Sequence, residues 1–234
     1  MKIALLGYGK MGRIIEEKAI QRGHEIVLKK GSHGSFEGLE KADVAIDFSI
    51  PSAAVTNIRA CLDLNIPVVS GTTGWLEDYD AIVKECNEKE GAFLYGSNFS
   101  LGVNIFFELN AQLAKIMASF NDYKVSMEEI HHTQKLDAPS GTAISLAQGI
   151  IENSNYKTWT LDNAKEDEIS ITAIRQDSVP GTHSVFYDSP IDQIEIKHTA
   201  HSRDGFALGA IIATEWIVGK KGVFSMKDVL NLNK

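Results

Sequence analysis

At 234 residues, 44% hydrophobic and 23% charged, the chain has the composition of a folded globular protein, with length for one large core or two modest ones. A net charge of −8 and the lack of any Lys/Arg-rich tract argue against nucleic acid as a partner. Cys61 and Cys86 sit in amphipathic helical patterns, with no CxxC pair and no zinc-ligand spacing, so reduced buried thiols in a cytoplasmic protein are expected, with no metal. The N-terminal apolar run meets glycine and charge too early for a signal peptide or a membrane span.

Residues 2–6 read as a buried strand that ends in Gly7-Tyr8-Gly9-Lys10-Met11-Gly12, after which Ile14, Ile15 and Ala19 recur at helical spacing. A second strand is predicted at 24–28 with Lys29-Lys30 at its end, and a third at 44–48. Pro51 opens a helix with Ala54, Val55, Ile58, Cys61 and Leu62 on one face. A fourth strand at 67–70 ends in Gly71-Thr72-Thr73-Gly74. A helix carrying Ile82, Val83 and Cys86 follows, then a fifth strand at 92–95. Alternating strands and helices predict an α/β fold with a parallel sheet and helical crossovers.

The pattern changes near Asn98. A helix is predicted over 101–119 and a strand over 125–130, leading into His131-His132. A helix over 140–151 and three β-like runs at 169–174, 183–187 and 193–199 follow, before a helix returns at 206–218. The expected organisation is a dinucleotide-binding domain at 1–99 and 206–234 and a strand-rich substrate domain at 100–205. Phe106, Phe107 and Trp216 read as core, while His198 and Arg203 read as packing or subunit contacts.

Gly7-x-Gly9-x-x-Gly12 between a strand and a helix is a dinucleotide fingerprint. The first glycine permits the tight turn, the second lets a pyrophosphate approach the backbone, and the third allows close helix–strand packing. Tyr8, Lys10 and Met11 share that turn. An acid for the ribose hydroxyls of NAD is expected roughly 20 residues on. Lys29 and Lys30 stand there instead, and two ammonium groups match a 2′-phosphate. The cofactor reading therefore leans towards NADPH, or acceptance of NADPH and NADH alike; the alternative is solvated charge at a strand end. Gly71, Thr72 and Thr73, and then Gly96, Ser97, Asn98 and Phe99, follow the fourth and fifth strands at the carboxyl edge of the sheet. Ligands bind there in such folds, although each segment also reads as a turn.

Residues 129–143 carry the densest chemistry: Glu129-x-His131-His132-x-x-Lys135-x-Asp137-Ala138-Pro139-Ser140-Gly141-Thr142-Ala143. Imidazole is suited to moving a proton near neutral pH. Lys135 supplies a point charge, and a helix start at Ser140-Gly141-Thr142 supplies N–H groups and a dipole for a carboxylate. Ser140 fits an N-cap, and Gly141 lets a substrate approach the backbone. His131 and His132 face opposite sides if the strand runs through both. Asp137 is expected to order the loop by accepting backbone N–H groups. The segment points to an enzyme acting on a small acidic substrate.

Together with Asn98-Phe99-Ser100-x-Gly102-Val103-Asn104 and Ile196-x-His198-x-Ala200-x-Ser202-Arg203-x-x-Phe206-Ala207-x-Gly209-Ala210, these motifs closely resemble the dihydrodipicolinate reductase family over the whole chain. The resemblance implies an N-terminal Rossmann domain completed by the C-terminal segment, and a central α+β domain whose open mixed sheet binds substrate and builds a homotetramer. It implies reduction by NADH or NADPH of an unsaturated cyclic dicarboxylate to tetrahydrodipicolinate in lysine and diaminopimelate biosynthesis. On the same footing His131 is the proton donor and Lys135 a second catalytic cation. His132, Lys135, Ser140, Gly141 and Thr142 form the substrate site, and the three glycine-bearing segments contact cofactor. Two features depart from the family: short connections around 31–42 and 155–168, and lysine where the cofactor-discriminating acid belongs. Two other readings remain. Another nicotinamide-dependent dehydrogenase would keep the glycines but not need His131, His132 and Lys135 together. A nucleotide-sensing module would need an effector segment, which the sequence does not show.

Overall fold

The structure, a computed structural model, describes residues 1–202 and 204–232; Arg203 lies outside the described residues. The chain begins with β1 (Lys2–Leu6), α1 (Lys10–Gln21), β2 (Glu25–Lys30), β3 (Val44–Asp47), α2 (Pro51–Asp63), β4 (Val68–Ser70), α3 (Tyr79–Glu88) and β5 (Ala92–Tyr95). It continues through α4 (Leu101–Met117), β6 (Lys124–His131), α5 (Gly141–Glu152), β7 (Thr158–Thr160), β8 (Glu168–Arg175), β9 (Thr182–Asp188) and β10 (Gln193–Thr199). It closes with α6 (Asp204–Ile217), β11 (Gly222–Phe224) and α7 (Met226–Val229). These elements divide into two units, Met1–Leu101 with Asp204–Lys234, and Gly102–Arg203.

In the first unit six parallel strands lie in the order β11-β5-β4-β3-β1-β2. Both faces of this sheet are covered, which is why β1 and β3 read as unbroken apolar runs rather than alternating ones. Ile3, Leu5 and Ile46 join one core with Ile15 of α1 and Ile211 of α6. Ala4, Leu6 and Ala45 join the other with Ile58 of α2 and Ile82 of α3. Each large aliphatic side chain taken fully out of water contributes on the order of 1.5–3 kcal/mol. The chain passes from β1 to β2 on one side and then returns to place β3 on the other. Strand order reverses there, so the loops leaving β1 and β3 border the crevice where α/β sheets bind ligands. Cys61 and Cys86 are buried free thiols, and burial raises both pKa values, so neither is a nucleophile at neutral pH.

The second unit holds a mixed sheet in the order β10-β9-β6-β8-β7, with β6 parallel to β8 and antiparallel to β9. Residues of β6 alternate: Val125, Met127, Glu129 and His131 are buried, their neighbours are not. Val125 and Met127 share an apolar cluster with Phe106 and Ala114 of α4 and Leu146 and Ile150 of α5. The same inward row then changes from apolar to polar at Glu129 and His131. That change marks where the core ends and a site begins.

Boundaries differ from the sequence reading by a residue or two, most usefully at β6, which ends at His131 and leaves His132 just beyond the strand. The short strands β7 and β11 and the four-residue α7 are not foreseen. Three residues are too few for a period to show, and only pairing with β8 and β5 makes β7 and β11 strands.

Candidate active site

In the first unit the turn after β1 is built by glycines with different reasons to be glycine. Gly7 has φ +105°, and a Cβ there would stand 2.1 Å from the Phe48 carbonyl oxygen. At Gly12 a Cβ would meet the Gly7 carbonyl oxygen at 2.5 Å, whereas at Gly9 it would meet nothing within 4 Å. Gly9 is the N-cap of α1 and brings no side chain to the first-turn N–H groups, so Lys10 and Met11 open a helix suited to an anion. Gly7, Tyr8, Gly9, Lys30, Ser49 and Asn57 line a cavity of about 180 Å³. Met11, Gly71, Thr72 and Thr73 line another of about 210 Å³.

Beneath these loops lies Asp47, the fully buried last residue of β3. Its carboxylate accepts hydrogen bonds from Ser49 Oγ (2.7 Å), Asn57 Nδ2 (2.8 Å), Ser70 Oγ (2.8 Å) and Thr72 Oγ1 (2.8 Å). The Ser49 amide in turn donates to Thr72 Oγ1 at 2.8 Å. Asp47 thus pins the loops after β3 and β4 together. The Thr72 hydroxyl therefore faces the protein interior while Thr73 is exposed, and both residues line the second cavity. Phe99 is likewise a core residue, packed on Phe48 with ring centroids 5.5 Å apart, so its side chain is not a ligand surface. Gly96 is buried against the Phe99 ring, Ser97 is exposed, and Asn98 Oδ1 accepts from the Ser100 amide at 2.9 Å.

The two lysines at the end of β2 part company. Lys29 pairs with Glu16 of α1, which also accepts a hydrogen bond from the Tyr8 hydroxyl, and these partners hold Glu16 below the usual carboxylate range. Lys30 lines the cavity; its carbonyl accepts from the Gly7 and Tyr8 amides at 2.9 and 3.0 Å, and its ammonium lies 4.8 Å from the Phe36 ring centroid.

In the second unit His131 is 7% exposed at the end of β6. Beside it lies Glu129, wholly buried and accepting from the Ser140 amide (3.1 and 3.0 Å) and Arg175 Nη2 (3.1 Å). His183 lies edge-on to His131 with centroids 5.0 Å apart, and its Nε2 is 3.2 Å from Ser140 Oγ. Ser140 is the N-cap of α5 and accepts from the Ala143 amide at 3.2 Å. Gly141 and Thr142 open that helix; Gly141 has open space around it, Thr142 is half-buried, and His132 is half-buried beyond the strand end. Lys135 Nζ holds the Asp137 carboxylate at 2.7 and 2.8 Å, which keeps that carboxyl below its usual range. A backbone hydrogen bond to the same carboxylate adds to this, so Asp137 both pairs with a lysine and accepts from the loop backbone.

Arg175 and His183 are functional candidates that residue types and spacing do not reveal, and Glu129, visible in the motif, gains its role only beside them. Strand pairing assembles them: β6 and β9 set Glu129 opposite His183, and β6 and β8 set His131 opposite Arg175. A carboxylate oxygen of Glu129 and a ring nitrogen each of His131 and His183 lie within 4.8 Å of one another, and Arg175 supplies the positive charge beside that carboxylate.

Burial first, then the neighbouring cations Lys135 and Arg175, lowers the His131 pKa below its ordinary 6.5, with Glu129 opposing. Burial also takes His183 down to about 4. Because the folded pKa of His183 lies below the unfolded one, its contribution is complete above pH 6.5 and fades as pH falls towards 4, where the unfolded chain binds the extra proton. Urea unfolding should therefore show on the order of 2 kcal/mol less stability from this group near pH 5 than near pH 7. The difference should shrink in His183→Gln; an unchanged pH dependence in that variant would assign the effect elsewhere.

A family model described as dihydrodipicolinate reductase, N-terminus, matches residues 1–99, and one described as dihydrodipicolinate reductase, C-terminus, matches residues 102–230. A 4-hydroxy-tetrahydrodipicolinate reductase from Christiangramia forsetii is 58% identical, covering 99% of this chain and 98% of that protein. One from Methanosarcina mazei is 37% identical, covering 89% and 77%. Among solved structures, a dipicolinate-bound dihydrodipicolinate reductase from Paenisporosarcina sp. TG-14 superposes with a TM-score of 0.77 over 96% of this chain and 97% of its own. At 23% identity that likeness bears on the fold alone.

Proposed function

The chain belongs to the dihydrodipicolinate reductase family, and from that premise we propose that it reduces 4-hydroxy-tetrahydrodipicolinate, by way of dihydrodipicolinate, to tetrahydrodipicolinate in lysine and diaminopimelate biosynthesis. It is a nicotinamide-dependent oxidoreductase, with Met1–Leu101 and Asp204–Lys234 as the dinucleotide-binding domain and Gly102–Arg203 as the substrate domain. The observation that carries the reading is the meeting, in one unit, of a buried imidazole with the open start of α5.

The first unit fits a dinucleotide on its own evidence: a glycine with open space at the N-cap of a helix, beside a cavity at the switch point of a parallel sheet. A bound reduced nicotinamide supplies the hydride. What remains is proton delivery and binding of two carboxylates, both tasks for the second unit. His131 gives the ring its proton. The Gly141 and Thr142 amides and the Thr142 hydroxyl receive one carboxylate at the helix start, while Lys135 and His132 receive the other. Lys135 comes to substrate already paired with Asp137, so a substrate carboxylate replaces or shares that partner. A doubly anionic substrate also raises the proton affinity of His131, which is neutral without it, so binding recruits the acid that the reaction needs.

For the cofactor, the geometry supports Lys30 over Lys29 as the residue that favours NADPH, since Glu16 already neutralises Lys29. Lys30→Glu should lower the NADPH/NADH ratio of kcat/KM by about tenfold or more, the scale of one charge-assisted hydrogen bond. Lys29→Glu should move it far less. Equal effects would return the pair to plain surface charge. A cytoplasmic homotetramer completes the proposal. The exposed edge strand β10, with Ile191 92% exposed just before it, supports further association, and sedimentation velocity tests it.

The direct test is cofactor oxidation by the purified protein with substrate generated by a coupled synthase. Turnover supports the reading. Cofactor binding without turnover favours a nucleotide-sensing module instead.

A further inference from the structure

We propose that Glu129 is a positioning residue that fixes the proton-bearing nitrogen of His131 and ties this imidazole to the helix start that receives the substrate. The inference rests on His131 being the proton donor, and concerns how it is held. Glu129 precedes His131 by two on β6, so both side chains leave the same face. Its two oxygens divide their work. Both lie near the Ser140 amide, and Oε1 also accepts from Arg175. Oε2 faces the imidazoles: it is 3.6 Å from His131 Nδ1 and 3.8 Å from His183 Nε2.

His131 Nδ1 is buried and has no hydrogen-bond partner within bonding distance among the described residues, and Oε2 is the acceptor it faces. A small closure of that gap makes the bond. A neutral imidazole then keeps its proton on Nδ1, and the proton it later takes up and gives away sits on Nε2. The far side of the ring is cleared for that role. A Cβ on Gly181 would stand 3.1 Å from Nε2 and 3.3 Å from Cδ2, so glycine there leaves the working edge unobstructed.

The charges facing His131 fit this division. Glu129 favours the imidazolium; Arg175 and Lys135 oppose it, and Asp137 offsets Lys135. His183, turned towards Ser140 Oγ at 3.2 Å, stays neutral at working pH, so it orients without competing for the charge. One carboxylate thus links the acid on β6 to the N-cap of α5 through the Ser140 amide, and holds both halves of the substrate site in one frame.

The first test needs only the wild-type protein. Long-range ¹H–¹⁵N correlation spectra of the imidazoles above neutral pH should show His131 as the Nδ1–H tautomer; an Nε2–H tautomer overturns the proposal. The second uses Glu129→Gln. Without the charge, His131 binds its proton less tightly, so the pH above which kcat/KM declines moves down by about one unit or more. The loss at neutral pH is then about tenfold or greater and recovers as the buffer is acidified. Dipicolinate should bind more weakly while NADPH binds as before, and Glu129→Asp should restore part of the rate. A profile that superimposes on the wild type, or a loss uniform in pH that Asp does not relieve, overturns it. The two ideas remain separable. If His131→Ala keeps its rate, the donor assignment fails; if that variant is inactive while Glu129→Gln keeps an unshifted profile, only the role of Glu129 fails.

Discussion

His131→Ala is expected to lower kcat by about 10²–10⁴-fold, the usual worth of a general acid, with the affinity for NADPH little changed. The two effects separate because the imidazole belongs to the second unit and the glycine turn to the first. Among the described residues, the neighbouring groups are committed elsewhere, His132 to a substrate carboxylate in the proposed complex. Lys135 is held by Asp137, and His183 is buried, oriented on Ser140 and too poor a base to be charged at working pH. The pH dependence provides an independent check with a definite sign. The acid must be protonated, and in the free protein burial holds its pKa below that of an ordinary imidazole, so wild-type kcat/KM should already be falling with rising pH before an ordinary imidazole would titrate. The corresponding limb of kcat, which reports the substrate complex, should lie at higher pH because the bound carboxylates favour the imidazolium. His131→Ala should lose this limb. A variant with full rate, or with the same limb, would take the proton-donor role away from His131.

Much of this architecture is legible from the chain because it is local. The glycine turn, the strand–helix alternation and the Ser140 cap each lie within a few residues, where the period of a strand or the chemistry of a cap decides the outcome. What escapes is made by pairing across the sheets. Glu129 is visible two places before His131, but nothing local says that His183 and Arg175, some fifty residues on, arrive beside it in register. Nothing local marks out Asp47 within the predicted third strand, and it is the fold that collects four donors around it. Lys29 and Lys30 look equivalent in sequence. They differ because Glu16, one helix earlier, reaches the first and leaves the second at the cavity. Thr72 and Thr73 differ for a similar reason: adjacent residues leave a loop in different directions, and the buried carboxylate engages one.

The sharpest separation of fold from function falls on two glycines of a single turn. Gly7→Ala should cost on the order of 3–5 kcal/mol, because its φ of +105° is strained for any L side chain and the methyl would fall 2.1 Å from the Phe48 carbonyl oxygen. The atoms it would meet are main-chain atoms of Phe48 and Ser49, so the main chain itself must shift. Thermal unfolding without cofactor should show Tm lowered by on the order of 10 °C. Gly9→Ala should largely spare the fold in the same assay. Its backbone is extended and a Cβ there meets nothing within 4 Å, so the poorer cap and the less flexible unfolded chain offset each other and stability should stay within about 1 kcal/mol of wild type. The penalty appears only when a ligand arrives. The methyl would occupy the space through which a pyrophosphate approaches the backbone at the start of α1, and calorimetry should show NADPH binding weakened by about tenfold or more, with dipicolinate binding unaffected. A Gly9→Ala protein that binds NADPH as tightly as the wild type would mean that the dinucleotide does not cross this turn. The 180 Å³ cavity beside Lys30 would then need another occupant.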